Sequence, residues 1–304
     1  MEWAAWVWAE CPRTKPTSLL FLFLILSDSS EGIFAPILYF GSIRVASITP
    51  ISEARTLKHV NISVFDCPEA WVQILNRIRN EGEVFKVGYG SEISDTQKLN
   101  VTIEILHPEN RPLVSDKAPC DMKYIQWYAL TYLWCGEGKQ DETYTYGSRL
   151  REPVDQVEEA IKRYVEEQQD RQVTMVIRLP EDIRKTRLNS NERHEPPCLS
   201  LIDTEILEGK VHMTCYFRSW DAYAGLPANI AGIQLFNEAF VSEINSRGNL
   251  NLQTGKLIFH SKNCHIYHRQ YRLVDDLLSP KRTTNINPRM AEIIKNNPEK
   301  FQEQ

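Results

Sequence analysis

Residues 218–229 read Arg218-Ser219-Trp220-Asp221-Ala222-Tyr223-Ala224-Gly225-Leu226-Pro227-Ala228-Asn229. The stretch follows residues 210–217, where Val211, Met213, Cys215 and Phe217 alternate with polar neighbours at the period of a half-buried strand. It opens residues 226–245, a long and mostly apolar run whose Pro227 suits a first helical turn, where the missing N–H has no partner to lose. A strand end, a glycine turn and a helix start are therefore joined in one short segment. Such a junction suits an anion. A guanidinium and an adjacent hydroxyl can bind oxyanion oxygens together, Gly225 permits close backbone approach, and Asn229 offers a donor and an acceptor to read a cyclic amide. The same residues also read as a capped turn with polar groups facing solvent.

Working outward, Asp66 and Pro68 start a helix in which Trp71, Ile74, Leu75 and Ile78 recur at helical spacing, ending near Glu81-Gly82. Strand-like runs at 84–89 and 99–106, joined by a polar turn, precede an aromatic-rich helical stretch over 122–134. An amphipathic helix is expected over 152–168, with Val154, Val157, Ile161, Tyr164 and Val165 on one face. Strands follow at 173–179, 199–207 and 210–217, and residues 249–268 read as a turn and a further strand pair. Helices and strands mix without regular alternation or repeats, so the class is α+β. The folded catalytic domain is expected over 55–280, after an extension (1–54) and before a polar tail (281–304) holding Pro288 and Pro298.

The 304 residues are 42% hydrophobic and 25% charged, enough for one large core, and the formal net charge is -5. Lys and Arg are scattered, which argues against a sequence-independent grip on DNA or RNA. Seven cysteines at irregular spacing, without a CxxC pair, fit reduced thiols in a cytoplasmic protein. Near the start, Arg13 and Lys15 precede an apolar run, 19–26, as a secretory signal would. That run is too short to span a bilayer, and Ser27-Asp28-Ser29-Ser30-Glu31-Gly32 is a poor cleavage site. The expectation is a disordered extension or an over-extended start, with no membrane association.

Pro196-Pro197-Cys198 stands at the entrance to a strand, after a loop holding Arg184, Arg187 and Arg193. Cationic neighbours lower a thiol pKa, so Cys198 is a candidate nucleophile; the alternative is an ordinary half-buried cysteine.

Three segments, the PPC triplet, the R-S-x-D-x-x-x-G-x-P-x-N run and Cys264-His265-Ile266-Tyr267, resemble the signature segments of the thymidylate synthase family in order and approximate spacing. The likeness is firm over 196–276, looser back to about residue 60, and nearest to the archaeal-type branch. It implies a mixed sheet flanked by helices and a homodimer packed sheet to sheet. By the resemblance Cys198 adds to C6 of a pyrimidine, and C5 then takes the one-carbon unit of 5,10-methylenetetrahydrofolate. Arg218 and Ser219 would hold the 5'-phosphate, His265 and Tyr267 the sugar, Asn229 the base, and Asp221 with Gly225 the folate side. Tyr146 resembles the tyrosine that helps remove the C5 proton. Arg171, in Asp170-Arg171-Gln172-Val173, matches an arginine that the partner subunit lends to the phosphate, while Gln172 replaces a second one. Asparagine at 229 favours dUMP, since related deoxycytidylate hydroxymethylases carry aspartate there.

Three departures bear on the reaction. Leu199 replaces a histidine, Tyr124 falls where a catalytic glutamate is expected, and 297–304 lacks the apolar closing segment. Loss of closure would let water compete with hydride transfer, so hydroxymethylation of dCMP or CMP stays open, as does a non-catalytic nucleotide- or RNA-binding protein. His260, Cys264, His265 and His268 do not make a metal site: on a strand His265 faces away from the other three.

Overall fold

A computed structural model describes residues 58–89, 92–138, 144–183 and 196–279. The arginine loop expected to flank Cys198, with Arg184, Arg187 and Arg193, lies outside these residues, as do the 1–54 extension and the 281–304 tail.

The elements run β1 (His59–Val64), α1 (Cys67–Glu81), β2 (Glu83–Tyr89), β3 (Glu92–Ile105), α2 (Met122–Trp127), a π-helical segment (Tyr128–Cys135), α3 (Tyr146–Arg151), α4 (Gln156–Glu166), β4 (Thr174–Val176), β5 (Leu199–Leu207), β6 (Lys210–Phe217), β7 (Trp220–Asp221), α5 (Gly225–Gly248), β8 (Gln253–Tyr267) and α6 (Tyr271–Leu278). They form an α+β fold on one mixed sheet in the order β1-β3-β8-β6-β5-β4, with β2 paired to β3 and β7 to β8. β1 with β3 and β6 with β8 are parallel, while β3 with β8, β5 with β6 and β4 with β5 are antiparallel.

Local chemistry sets the elements. Asp66 caps α1 by accepting the Glu69 N–H at 3.0 Å, and Trp71, Ile74, Leu75 and Ile78 bury the face that periodicity assigned to the core. α5 buries residues on most of its circumference, among them Ile230, Ile233, Phe236, Phe240 and Ile244. One sheet face is apolar: Leu99, Val101 and Ile103 of β3, Met213, Cys215 and Phe217 of β6, and Leu257 and Phe259 of β8 are buried beneath the helices. The alternating residues Thr102, Tyr216, Ile258 and His260 on the other face are only partly covered.

Four expectations change. The helix expected over 152–168 is α4, starting only at Gln156, because the Asp155 side chain accepts the Glu158 N–H at 2.9 Å and caps it there; Val154 is exposed. The polar residues before Leu99 continue the ladder of β3 rather than forming a turn. The strand pair over 249–268 is a single long strand, β8, because both its neighbours, β3 and β6, supply its hydrogen bonds. Before α1, where the sequence reading assigned no element, lies β1, whose parallel partner is about forty residues away and leaves no local signal.

Candidate active site

The sheet brings the sequence-predicted residues to one of its ends. Leu199 pairs with Phe217, so Cys198 lies beside Arg218, whose N–H donates to the Cys198 carbonyl at 2.9 Å. β7 then runs parallel to the end of β8, pairing Trp220 with Cys264 and Asp221 with His265. β3 closes the other side, with Lys98 opposite His265 and Thr96 opposite Tyr267. Cys198, Arg218, Ser219, Asp221, Gly225, His265 and Tyr267 are thus assembled by strand register, and Asn229 follows in the first turns of α5.

Cys198 is half-buried, and none of the described cysteines is in a disulfide. The other core thiols are unsuited to attack. Burial, helped by the Asp66 charge, pushes Cys67 up to about 12, burial pushes Cys120 to about 11, and burial raises Cys215 and Cys264 beyond the usual thiol range. Arg218 anchors the segment before Cys198: its Nε donates to the Pro197 carbonyl at 3.0 Å and its Nη2 to the Pro196 carbonyl. Two of its nitrogens hold the turn before Cys198, and among the described residues Nη1 has no hydrogen-bond partner. Ser219 Oγ accepts from Asn263 Nδ2 at 3.0 Å and keeps its own proton to donate.

Tyr146 reaches Cys198 from α3. Its hydroxyl accepts the Leu199 N–H at 3.5 Å, and burial raises its phenol well above the usual range, so it stays protonated. Two glycines allow this approach. Gly136 ends the π-helical segment at φ 76°, and a Cβ on Gly147 would lie 2.4 Å from the Leu133 carbonyl oxygen, so neither position accepts a side chain. α3 therefore packs backbone to backbone against the π-helical segment, and the Tyr146 ring meets Tyr132 edge-on at 5.3 Å.

His265 is buried, and its Nδ1 lies 3.1 Å from the Asn263 carbonyl. A carbonyl only accepts, so Nδ1 carries the proton and Nε2 is the acceptor. Burial lowers its pKa, outweighing the opposing Asn263 hydrogen bond and the Asp221 charge, and Lys98 lowers it further, so the ring is neutral near pH 7. The Tyr267 ring stands edge-on to it at 4.7 Å. The alternation expected around Cys264 fails here, since Cys264, His265 and Ile266 are all buried. The register shift opposite Leu99 and Val101 inserts an extra residue into β8, which brings Cys264 and Ile266 onto the apolar face with Leu99 and sets His265 on the other face, opposite Lys98. Among the described residues, no group of three His, Cys, Asp or Glu is placed to hold a metal ion.

The Asp221 carboxylate shapes the cradle. Oδ1 accepts the N–H groups of Tyr223 and Ala224, both at 3.0 Å, and Oδ2 accepts from Gln270 Nε2 at 3.1 Å. Trp71 Nε1 donates to the Ala222 carbonyl at 3.1 Å and ties the same turn to α1. Past Ala224 opens a groove of about 850 Å³, walled by residues from Pro112 to Tyr124, including Asp116, Cys120 and Asp121.

Two residues of the site were not singled out from the sequence. Asn229 Oδ1 accepts from Trp220 Nε1 at 2.9 Å, and its Nδ2 donates to the Tyr128 hydroxyl at 2.7 Å. Tyr124, aligned with the missing glutamate, is 47% exposed, and the phenol that reaches Asn229 is Tyr128, the first residue of the π-helical segment. Trp220 carried a signal in principle, as a large apolar residue inside the polar cradle. Arg171 is exposed before β4, whose Thr174 pairs with Asp203. That is the far half of β5, roughly 20 Å of strand from Cys198 of the same chain.

The fold and this cluster define a class of proteins that present one thiol, an arginine and an amide reader at the end of a mixed sheet. The family model described as thymidylate synthase matches residues 53–303. A protein named "Putative thymidylate synthase" from Methanosarcina acetivorans is 33% identical over 227 residues, covering 74% of this chain and 94% of the relative. One of the same name from Methanosarcina mazei is 32% identical over 231 residues, covering 74% and 94%. A thymidylate synthase from Listeria monocytogenes is 28% identical over 153 residues, covering 48% of this chain and 44% of its own. The chain belongs to the thymidylate synthase family. Among the described residues no helix is long and apolar enough to cross a membrane.

Proposed function

We propose that the protein is a thymidylate synthase that converts dUMP to dTMP, with Cys198 as the nucleophile and 5,10-methylenetetrahydrofolate as the co-substrate. The observation that carries this reading is the placement of Cys198, whose turn is held by Arg218 while Tyr146 contacts the next residue along the backbone. The Cys198 thiolate adds to C6 of the uracil ring, and the electron pair displaced from the C5–C6 double bond makes C5 nucleophilic. The folate supplies the methylene carbon and, afterwards, the hydride that makes it a methyl group. Tyr146 is neutral, so it orders the acceptor of the C5 proton through hydrogen bonding rather than acting as a phenolate. Expulsion of the Cys198 sulfur restores the double bond and frees the product.

Binding follows from the same residues. Arg218 Nη1 and Ser219 Oγ meet the 5'-phosphate, neutral His265 accepts the sugar hydroxyl at Nε2 beside Tyr267, and Asn229 meets the base. The groove past Ala224 has the volume of a drug-sized ligand site, and the Asp221 carboxylate, which accepts the Ala224 N–H, suits the N–H groups of a pteridine. Gly225 leaves that junction open. The working unit is a homodimer joined through the half-open sheet face, and the distance of Arg171 from its own Cys198 supports a role at the partner's phosphate site. The catalytic domain spans 55–280, and a cytoplasmic setting supplies both substrates.

The test incubates the protein with methylenetetrahydrofolate and either dUMP or dCMP, reading product mass and the absorbance rise from dihydrofolate. Thymidylate with equimolar dihydrofolate is the expected result. A hydroxymethyl product without dihydrofolate would replace this assignment with a hydroxymethylase, and no turnover with either nucleotide would leave a binding protein.

A further inference from the structure

An asparagine by itself does not choose between uracil and cytosine. With Nδ2 toward O4 and Oδ1 toward N3–H it matches uracil; turned by half a rotation about its last bond, Oδ1 meets the cytosine amino group and Nδ2 meets N3. Base selection at Asn229 therefore depends on what fixes the amide.

Here the amide is fixed on both sides. The Trp220 indole N–H can only donate, and it lies 2.9 Å from one amide atom of Asn229, which must therefore be the oxygen. The indole cannot swing away: Trp220 is 2% exposed, lies flat on Phe217 at 4.3 Å, and meets Phe259 at 5.3 Å. On the other side the Tyr128 hydroxyl accepts from Nδ2 at 2.7 Å. Tyr128 is held as firmly, its ring stacked on Tyr132 at 5.4 Å and seated in a notch left by Gly232, where a Cβ would come within 2.4 Å of the ring. A flipped amide would set two donors head-on inside the protein.

Two hydrogen bonds leave one Nδ2 proton and one Oδ1 lone pair unused. The half-exposed Asn229 keeps an open side toward Gly225, where even an added Cβ would stand 3.5 Å from Oδ1. We propose that Trp220 and Tyr128 are positioning residues that lock the Asn229 amide in the orientation that reads a uracil edge and rejects a cytosine edge. This rests on the reading that Asn229 faces the base of a pyrimidine nucleotide. Selectivity then belongs to three side chains from three elements, β7, α5 and the π-helical segment, rather than to position 229 alone.

The experiment compares dUMP and dCMP by calorimetric titration of the full chain, with deoxyribose 5-phosphate as a base-free control. Trp220 is replaced by benzothienylalanine, which keeps the two-ring shape and puts sulfur where the N–H was; Tyr128→Phe removes the acceptor. The native protein is expected to prefer dUMP. The indole isostere should reduce that preference about tenfold or more, mainly by admitting dCMP, with deoxyribose 5-phosphate binding unchanged. Tyr128→Phe should reduce it in the same direction, and stands as the readout if the isostere does not fold. An unaltered dUMP to dCMP ratio in a folded variant overturns the lock and leaves the functional reading intact. A native protein that binds neither nucleotide, or both alike, overturns the functional reading and the lock with it.

Discussion

The Arg218 guanidinium donates from Nε to the Pro197 carbonyl at 3.0 Å, so the cation proposed to hold the phosphate also fixes the turn that presents Cys198. In the proposed mechanism, substrate binding and nucleophile placement share one side chain. Lysine keeps the charge but has no fork to hold both carbonyls. Arg218→Lys should therefore raise KM for dUMP about ten- to hundredfold and lower kcat as well. Steady-state kinetics would separate the two effects, and a change confined to KM would show that the turn does not need the arginine.

Cys198→Ala should lower turnover by roughly 10⁴-fold or more while nucleotide binding stays measurable. Product formation at a tenth of the native rate would remove covalent addition through Cys198 from the mechanism. Iodoacetamide mapping offers a parallel check, since the thiols of Cys67, Cys215 and Cys264 are buried and pushed up in pKa and should stay unmodified in the native state.

Gly232 leaves the notch occupied by the Tyr128 ring. Gly232→Ala should cost about 1–3 kcal/mol through overpacking, read as a lower urea midpoint with an unchanged slope. Because α5 is otherwise well packed, a stabilised protein would mean that Tyr128 moves freely and that its contact with Asn229 is incidental.

His265 is buried as the neutral ring, and its folded-state pKa lies below the ordinary value. The unfolded chain then takes up the proton more readily, so this contribution is fully present above about pH 6.5 and is lost as pH falls through that value. Urea midpoints measured from pH 7.5 to pH 5 should decline, and His265→Gln should flatten the decline. An identical pH slope in the variant would place the titration elsewhere.

Much of the scaffold was legible because its signals are local. Alternation in 210–217 marks β6, and the spacing of Trp71, Ile74, Leu75 and Ile78 marks α1. The signature segments likewise located Cys198, Arg218, Asn229 and His265. What escaped depends on partners distant in sequence or on irregular backbone. β1 is defined only by β3, and β8 stays one strand because it has neighbours on both sides. The family resemblance put Tyr124 at the place of the glutamate, but the backbone widens into a π-helix at Tyr128, and there the phenol turns toward Asn229. Trp220 stood out only as a large apolar residue inside the polar cradle, and its bond to the Asn229 amide, which comes from α5, is not written in that pattern. The bulge that moves Cys264 and Ile266 onto the apolar face is equally silent in the residue order.

The parallel pairing of β6 and β7 with β8 has a consequence for how the protein fails. Cys198 hangs from the strand that follows β6 in the ladder, the turn of Arg218, Ser219 and Asp221 follows β6 directly, and His265 and Tyr267 sit on β8. A slip of one residue in that pairing would invert every side chain of the ladder at once. Damage to this junction is therefore a common-mode fault: competence is present in whole molecules or absent from them, and a mutant that weakens the ladder should show fewer active molecules at undiminished turnover per active molecule.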